Sequence, residues 1–216
     1  PLYMNDPERI GAGRGDGVSV LFDALLLTGI SMTMAGTSSP ASGGEHLISH
    51  TLDMMSMVDG VPHDLHGRQV GVGTILGAAL YEEIFQLRSP QFRTMPTRTE
   101  EAFWGRLTDV VEAEHAGKRR RLAKAAALLS ESPGRWGQLL KSVQAGLRPP
   151  EQLKDCLRRA GAAHRLDDIG VSRRRFLAAL NHAHEIRERF TVLDLARIAG
   201  ILPERGEELV DRWLIT

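Results

Sequence analysis

Residues 38–57 read SSPASGGEHLISHTLDMMSM, and how this stretch is taken decides the fold. A proline, small residues and two glycines make a turn. From Glu45 onward, apolar residues recur at helical spacing. On a helix, residues four apart share one face, so His46 and His50 point the same way. The glycines before them let the backbone turn sharply and leave room for close approach. Downstream, a loop through Asp59, Gly60 and Pro62 leads to His66, which stands directly before Gly67 and the start of a further helix.

Working outward, the rest of the chain also reads as helix. VSVLFDALLLTGISMTMAG, 18–36, is apolar almost all round, the pattern of a buried helix. GRQVGVGTILGAALYEEIFQL, 67–87, is small and apolar in its first turns, and Pro90 and Pro96 break the chain after it. In the second half, Thr99, Ser132, Pro150, Ser172, Thr191 and Pro203 mark helix starts, while Gly161 and Gly200 mark stops. No alternating strand pattern of useful length is found. The expected fold is all-α.

Residues 1–16, rich in Gly, Pro and charge, read as a flexible lead-in, with residues 17–216 as the helical domain. The GAGRG run follows no strand and lacks the Lys-Ser/Thr of a phosphate loop. The 27 basic and 27 acidic residues cancel, so no field attracts nucleic acid or an anionic membrane. The run Lys118-Arg119-Arg120-Arg121 reads as a solvated helix face. One cysteine, Cys156, cannot form an internal disulfide. No run approaches the roughly 20 uninterrupted apolar residues of a membrane span. A soluble cytoplasmic protein is expected.

Imidazole is a common ligand for zinc, nickel and iron, and a catalytic metal site typically takes three protein ligands. His46, His50 and His66 meet most of that requirement. The same spacing also occurs in helices whose histidines are structural, so spacing alone leaves both readings open. His63, in a Pro-His-Asp loop, reads as a surface residue. His115, His164, His182 and His184 read as residues without a functional role.

SSPASGGEHLISHTLD together with PHDLHGRQVGVGT resembles the metal-binding helical C-terminal half of bacterial-type sn-glycerol-1-phosphate dehydrogenases. These sit in a wider group with alcohol and glycerol dehydrogenases and dehydroquinate synthase. LLLTGISMTMAG fits the same family, as does IRERFTVLDLARIAGIL, 186–202, with Phe190 where the family pattern has Tyr. The resemblance covers Val18 to Trp213. It implies that His46 and His66 are metal ligands and that His50 faces substrate and nicotinamide. Glu45 would orient the helix start, with a ligand role as the weaker alternative.

The implied activity is reduction of dihydroxyacetone phosphate to sn-glycerol 1-phosphate by NADH or NADPH. The metal, zinc or nickel ahead of iron, would polarise the carbonyl. The product is a phospholipid backbone, and a homodimer is the family-like state. The family's N-terminal nucleotide-binding domain, with its Gly-rich loop and the carboxylate that completes the metal site, has no counterpart here. The chain is therefore expected to be part of a longer enzyme and inactive alone. Such a part would leave an apolar surface exposed, with the helices from Val18 and Gly67 as candidates. Two other readings compete: the corresponding half of a dehydroquinate synthase-like cyclase, and a non-catalytic helical metal-binding or interaction module.

Overall fold

Glycine in the left-handed region ends two of the helices that matter most. Gly36 (φ 63°) closes α2 (Gly15–Ala35) and Gly60 (φ 67°) closes α3 (Gly44–Asp59), a conformation that costs other residues a steric penalty. The computed structural model describes residues 4–93 and 98–215. Pro96, expected to break the chain, lies outside them. The longer helices are α1 (Pro7–Gly11), α2 (Gly15–Ala35), α3 (Gly44–Asp59), α4 (His66–Gln86), α5 (Glu101–Trp104) and α6 (Thr108–Glu131). They continue with α7 (Pro133–Gln144), α8 (Pro150–Arg159), α9 (Arg173–His182), α10 (Val192–Ile198) and α11 (Gly206–Val210). Short 3-10 turns and one terminal π turn join them, and no strand occurs among the described residues. The fold is all-α, as the sequence predicts.

The core is built on α3 against α4. Leu47, Ile48 and Leu52 of α3 and Val72, Ile75, Leu76 and Leu80 of α4 are all buried. Phe176 and Leu180 of α9, Leu193 of α10 and Val210 of α11 close over them. Close approach is possible because α4 offers glycine at the contact. A Cβ on Gly73 would lie 3.0 Å from the Glu45 carbonyl oxygen, so a side chain there would push the helices apart. The helix from Gly67, a candidate for an exposed apolar patch, is thus buried instead.

The other candidate behaves in the opposite way. Helix α2 was expected to be buried, and of its residues only Gly17 is. Phe22 is 64% exposed, Leu25 62% and Met34 84%. The reason is that α2 is held at its ends. Its first turns lie on α1, where Gly17 meets the Arg9 backbone, and its far end runs into the turn Ser39–Ala41. With apolar residues on every face it has no single stripe to bury. The expectation that no run is long enough for a membrane span is also corrected. By length and composition α2 is long and apolar enough to cross one.

Part of the lead-in is helical. α1 docks on α8, with Gly11 against Ala160 and Glu8 accepting from the Arg159 guanidinium at 2.5 and 2.9 Å. The helix predicted after Thr99 is interrupted at Gly105 (φ 50°) and resumes as α6. Thr191 caps α10 as read: its hydroxyl accepts from the Leu193 N–H at 3.3 Å, and Asp194 accepts from the Thr191 N–H at 2.7 Å.

The basic run on α6 is corrected at its first residue. Lys118 is buried, with its ammonium 2.8 Å from the buried Asp194 carboxylate and donating to the His184 carbonyl at 2.5 Å. Burial pushes the Lys118 ammonium down and the Asp194 carboxyl up, and their mutual attraction opposes both shifts. Arg119 pairs with Glu112, and Arg121 with Glu188 at 2.9 Å.

Candidate metal centre

Two helices converge on one cluster of imidazoles. The first two turns of α3 carry His46 and His50, and His66 is the first residue of α4. The ring centroids lie 6.4 Å apart for His46–His50, 5.1 Å for His46–His66 and 4.9 Å for His50–His66. The structure therefore brings together all three histidines singled out from the sequence.

Two of the rings are held from behind. His46 Nδ1 lies 2.8 Å from Glu45 Oε1, and the same oxygen accepts the Gly43 N–H at 2.7 Å. Burial works to raise the Glu45 carboxyl, but hydrogen bonds from His46 and the Gly43 N–H outweigh it and hold the group below its ordinary range. An ionised Glu45 accepts from Nδ1–H and leaves the lone pair on His46 Nε2. Glu45 thus orients the ring, and its carboxylate is already engaged.

His66 is fixed by a relay that the sequence reading missed. Its Nδ1 lies 2.8 Å from Ser49 Oγ, and the Ser49 hydroxyl donates to Gln69 Oε1 at 2.7 Å. The Gln69 amide in turn donates to the Asp64 carbonyl at 3.3 Å. With the serine hydrogen committed to Gln69, Ser49 Oγ can only accept, so His66 carries its proton on Nδ1 and its lone pair on Nε2. Ser49 and Gln69 are both buried. A second partner that fixes tautomer and ring direction is the usual companion of a metal-ligating histidine.

His50 has a different setting. Burial lowers its pKa first, the neighbouring His66 and Arg187 lower it further, and Asp53 opposes them. Asp53 lies three residues on along the same helix. Its Oδ1 is buried without a hydrogen bond, although His63 Nδ1 sits 3.1 Å away. One ligand atom from each of His50, Asp53 and His66 lies within 4.8 Å of the others. Ser49 and Asp53 both stand in the stretch EHLISHTLD. The signal that could have found them is their helical offset from His46 and His50.

His63 is exposed. His115 and His184 are buried 5.3 Å apart between α6 and the turn Ala183–Glu185, away from the centre. Beside Glu45 opens a cleft of about 630 Å³ whose lining includes Gly43, Gly44, Tyr81, Arg148, Arg189 and Thr191. Arg189 donates to the Ser42 carbonyl at 2.6 Å and to Ser38 Oγ at 3.2 Å, tying the 186–202 segment to the turn before α3. Neither this cleft nor a second one of about 520 Å³, between α3, α5 and α9, is lined by any of the three histidines.

An all-helical domain with oriented imidazoles and an unpartnered carboxylate oxygen has the donor set for a divalent cation. No family model matches the chain. It is, however, 31% identical over 185 residues to a protein of Geobacillus stearothermophilus named glycerol-1-phosphate dehydrogenase (NAD(P)+), covering 85% of this chain and 39% of that protein. A protein of the same name from Bacillus subtilis is 33% identical over 177 residues, 82% of this chain and 35% of the relative. One from Staphylothermus marinus is 45% identical over 74 residues, 34% of this chain and 20% of the relative. The chain is a homologue of glycerol-1-phosphate dehydrogenases. It spans about two fifths of the length of the first of these relatives.

Proposed function

We propose that residues 17–216 form the metal- and substrate-binding helical part of an NAD(P)-dependent oxidoreductase that reduces dihydroxyacetone phosphate to sn-glycerol 1-phosphate. The observation that carries the reading is the trio of imidazoles, two of them held at Nδ1 so that the lone pair lies on Nε2. The names of the relatives supply the reaction, and the nucleotide is held mainly by polypeptide outside this chain. In that setting the protein is a cytoplasmic homodimer.

His46 and His66 would hold the cation, zinc or nickel, through Nε2, and the acidic ligand would come from the nucleotide-binding part. A cation bound there supplies Lewis-acid polarisation of the substrate carbonyl. Glu45 and Ser49 keep the two rings in the ligating tautomer throughout. A neutral His50 can donate from one ring nitrogen and accept at the other, so it hydrogen-bonds the reacting oxygen and passes on its proton. The chain without its nucleotide-binding part turns over no substrate.

The test is NAD(P)H oxidation by the full reading frame with dihydroxyacetone phosphate. His66→Ala is expected to lower kcat/KM by at least about a hundredfold, roughly 2.7 kcal/mol of transition-state stabilisation. Undiminished activity in that variant would overturn the assignment. Reduction by residues 1–216 alone would overturn the division of labour.

A further inference from the structure

The resemblance leaves this chain with two neutral ligands and no anionic one. We propose that the chain nevertheless carries a complete cation site of its own, formed by His50, Asp53 and His66. The inference rests on the reading of the centre as a metal site, and it names a different ligand set within it.

Geometry singles out these three residues. Their ligand atoms lie within 4.8 Å of one another, and no other such group of three His, Cys, Asp or Glu occurs among the described residues. Around a tetrahedral zinc, ligand atoms about 2.0–2.2 Å from the metal stand roughly 3.4 Å apart, a closure that side-chain rotation can supply. The helix provides the pairing, since His50 and Asp53 are one turn apart on α3 and so share a face.

The carboxylate also needs a partner. Asp53 Oδ1 is buried with no hydrogen bond, a costly state for a charged oxygen. His63 Nδ1 lies 3.1 Å from that oxygen without making a hydrogen bond to it. A cation would satisfy that oxygen.

Electrostatics favour this end of the cluster over the His46 end. His46 lies in the first turn of α3 and His66 opens α4, so both face the positive ends of helix dipoles. At His50 the Arg187 guanidinium adds positive potential, which the Asp53 carboxylate opposes. Two neutral imidazoles in such surroundings hold a dication poorly. Glu45 cannot help directly, because its carboxylate is spent on His46 and Gly43. Asp53 is the anionic group already beside both His50 and His66.

The two ligand sets share His66 and therefore exclude each other. While the ion sits against Asp53, His50 is a ligand and is not free to meet substrate. The Asp53 site would thus hold metal on the helical domain by itself.

The experiment titrates residues 1–216, stripped with a chelator, with Zn²⁺ by calorimetry. The wild-type chain is expected to bind one Zn²⁺. Asp53→Asn is expected to weaken binding by at least about tenfold, and His46→Ala by less than about threefold. X-ray absorption of the zinc-loaded wild type, which needs no variant to fold, is expected to show two imidazoles and a carboxylate oxygen. Three imidazoles, or lost binding in His46→Ala with unchanged binding in Asp53→Asn, would overturn the proposal and leave the catalytic reading intact. No binding by the wild-type chain would overturn it also. Loss of reductase activity in the full reading frame is a separate readout and bears only on the catalytic reading.

Discussion

Helices α2 and α4 are each 21 residues long and each rich in apolar side chains, yet they end in opposite surroundings. Eleven residues of α4 are buried, from Gln69 to Ile84, whereas α2 buries only Gly17. What separates them is the supply of partners. α4 meets α3, α8 and α10, and its glycines let α3 come close enough to bury both. α2 touches neighbours at its ends and presents Phe22, Leu25, Leu26 and Met34 outward. Apolar composition sets a helix's wish to be covered, and the rest of the chain decides whether it is.

The strongest test of that contrast is a matched pair of truncations. Leu76→Ala in α4 is expected to cost about 2–5 kcal/mol, since Leu76 is fully buried and leaves a cavity behind. Leu25→Ala in α2 is expected to cost no more than about 0.5 kcal/mol. Urea denaturation of both variants checks the difference, and equal losses would break the comparison.

Acid provides the next effect in size, and it acts on the core and not on α2. His115 and His184 are buried between α6 and the turn before α10, and burial pushes both pKa values down, that of His115 to about 4. The unfolded chain titrates these groups near the usual value of about 6.5. The unfolded state therefore binds more protons between those limits, and stability present above about pH 6.5 is lost as pH falls toward 4. The expected loss is about 1–3 kcal/mol across that window. His115→Gln should flatten the slope, and an unchanged slope would mean that the acid sensitivity lies in other groups.

A glycine pair sharpens the contrast with a change of sign. At Gly73 an added methyl would stand 3.0 Å from the Glu45 carbonyl oxygen, so Gly73→Ala is expected to destabilise by about 1 kcal/mol or more. At Gly29 of α2 nothing lies within 4 Å, so Gly29→Ala is expected to stabilise by about 0.5–1 kcal/mol through backbone entropy alone. Thermal melts of the two variants should move in opposite directions.

The same contrast explains which features were legible in the sequence. Helices, caps and the three histidines follow local rules: a spacing of four places His46 and His50 together, and Thr191 with Asp194 announces its own capping box. The relay from His66 through Ser49 to Gln69 joins two helices and needs their register, which no single segment encodes. Lys118 shows the same limit, since its burial depends on Asp194, 76 residues away in the chain. The burial of α2 was misread because a helix apolar on all faces fits a protein interior and an unpartnered surface equally well.

The smallest expected effect is the most direct probe of α2. Replacing Phe22 and Leu25 together by Gln removes apolar surface that the fold leaves in water, so stability is expected to stay within about 0.5 kcal/mol of wild type. Aggregation, followed by light scattering at rising concentration, should fall, since a contiguous exposed apolar surface favours association. A loss of more than about 1.5 kcal/mol would mean that these side chains are covered in solution. α2 would then resemble α4 after all, and the difference between the two helices would lie in what each is packed against, not in whether it is packed.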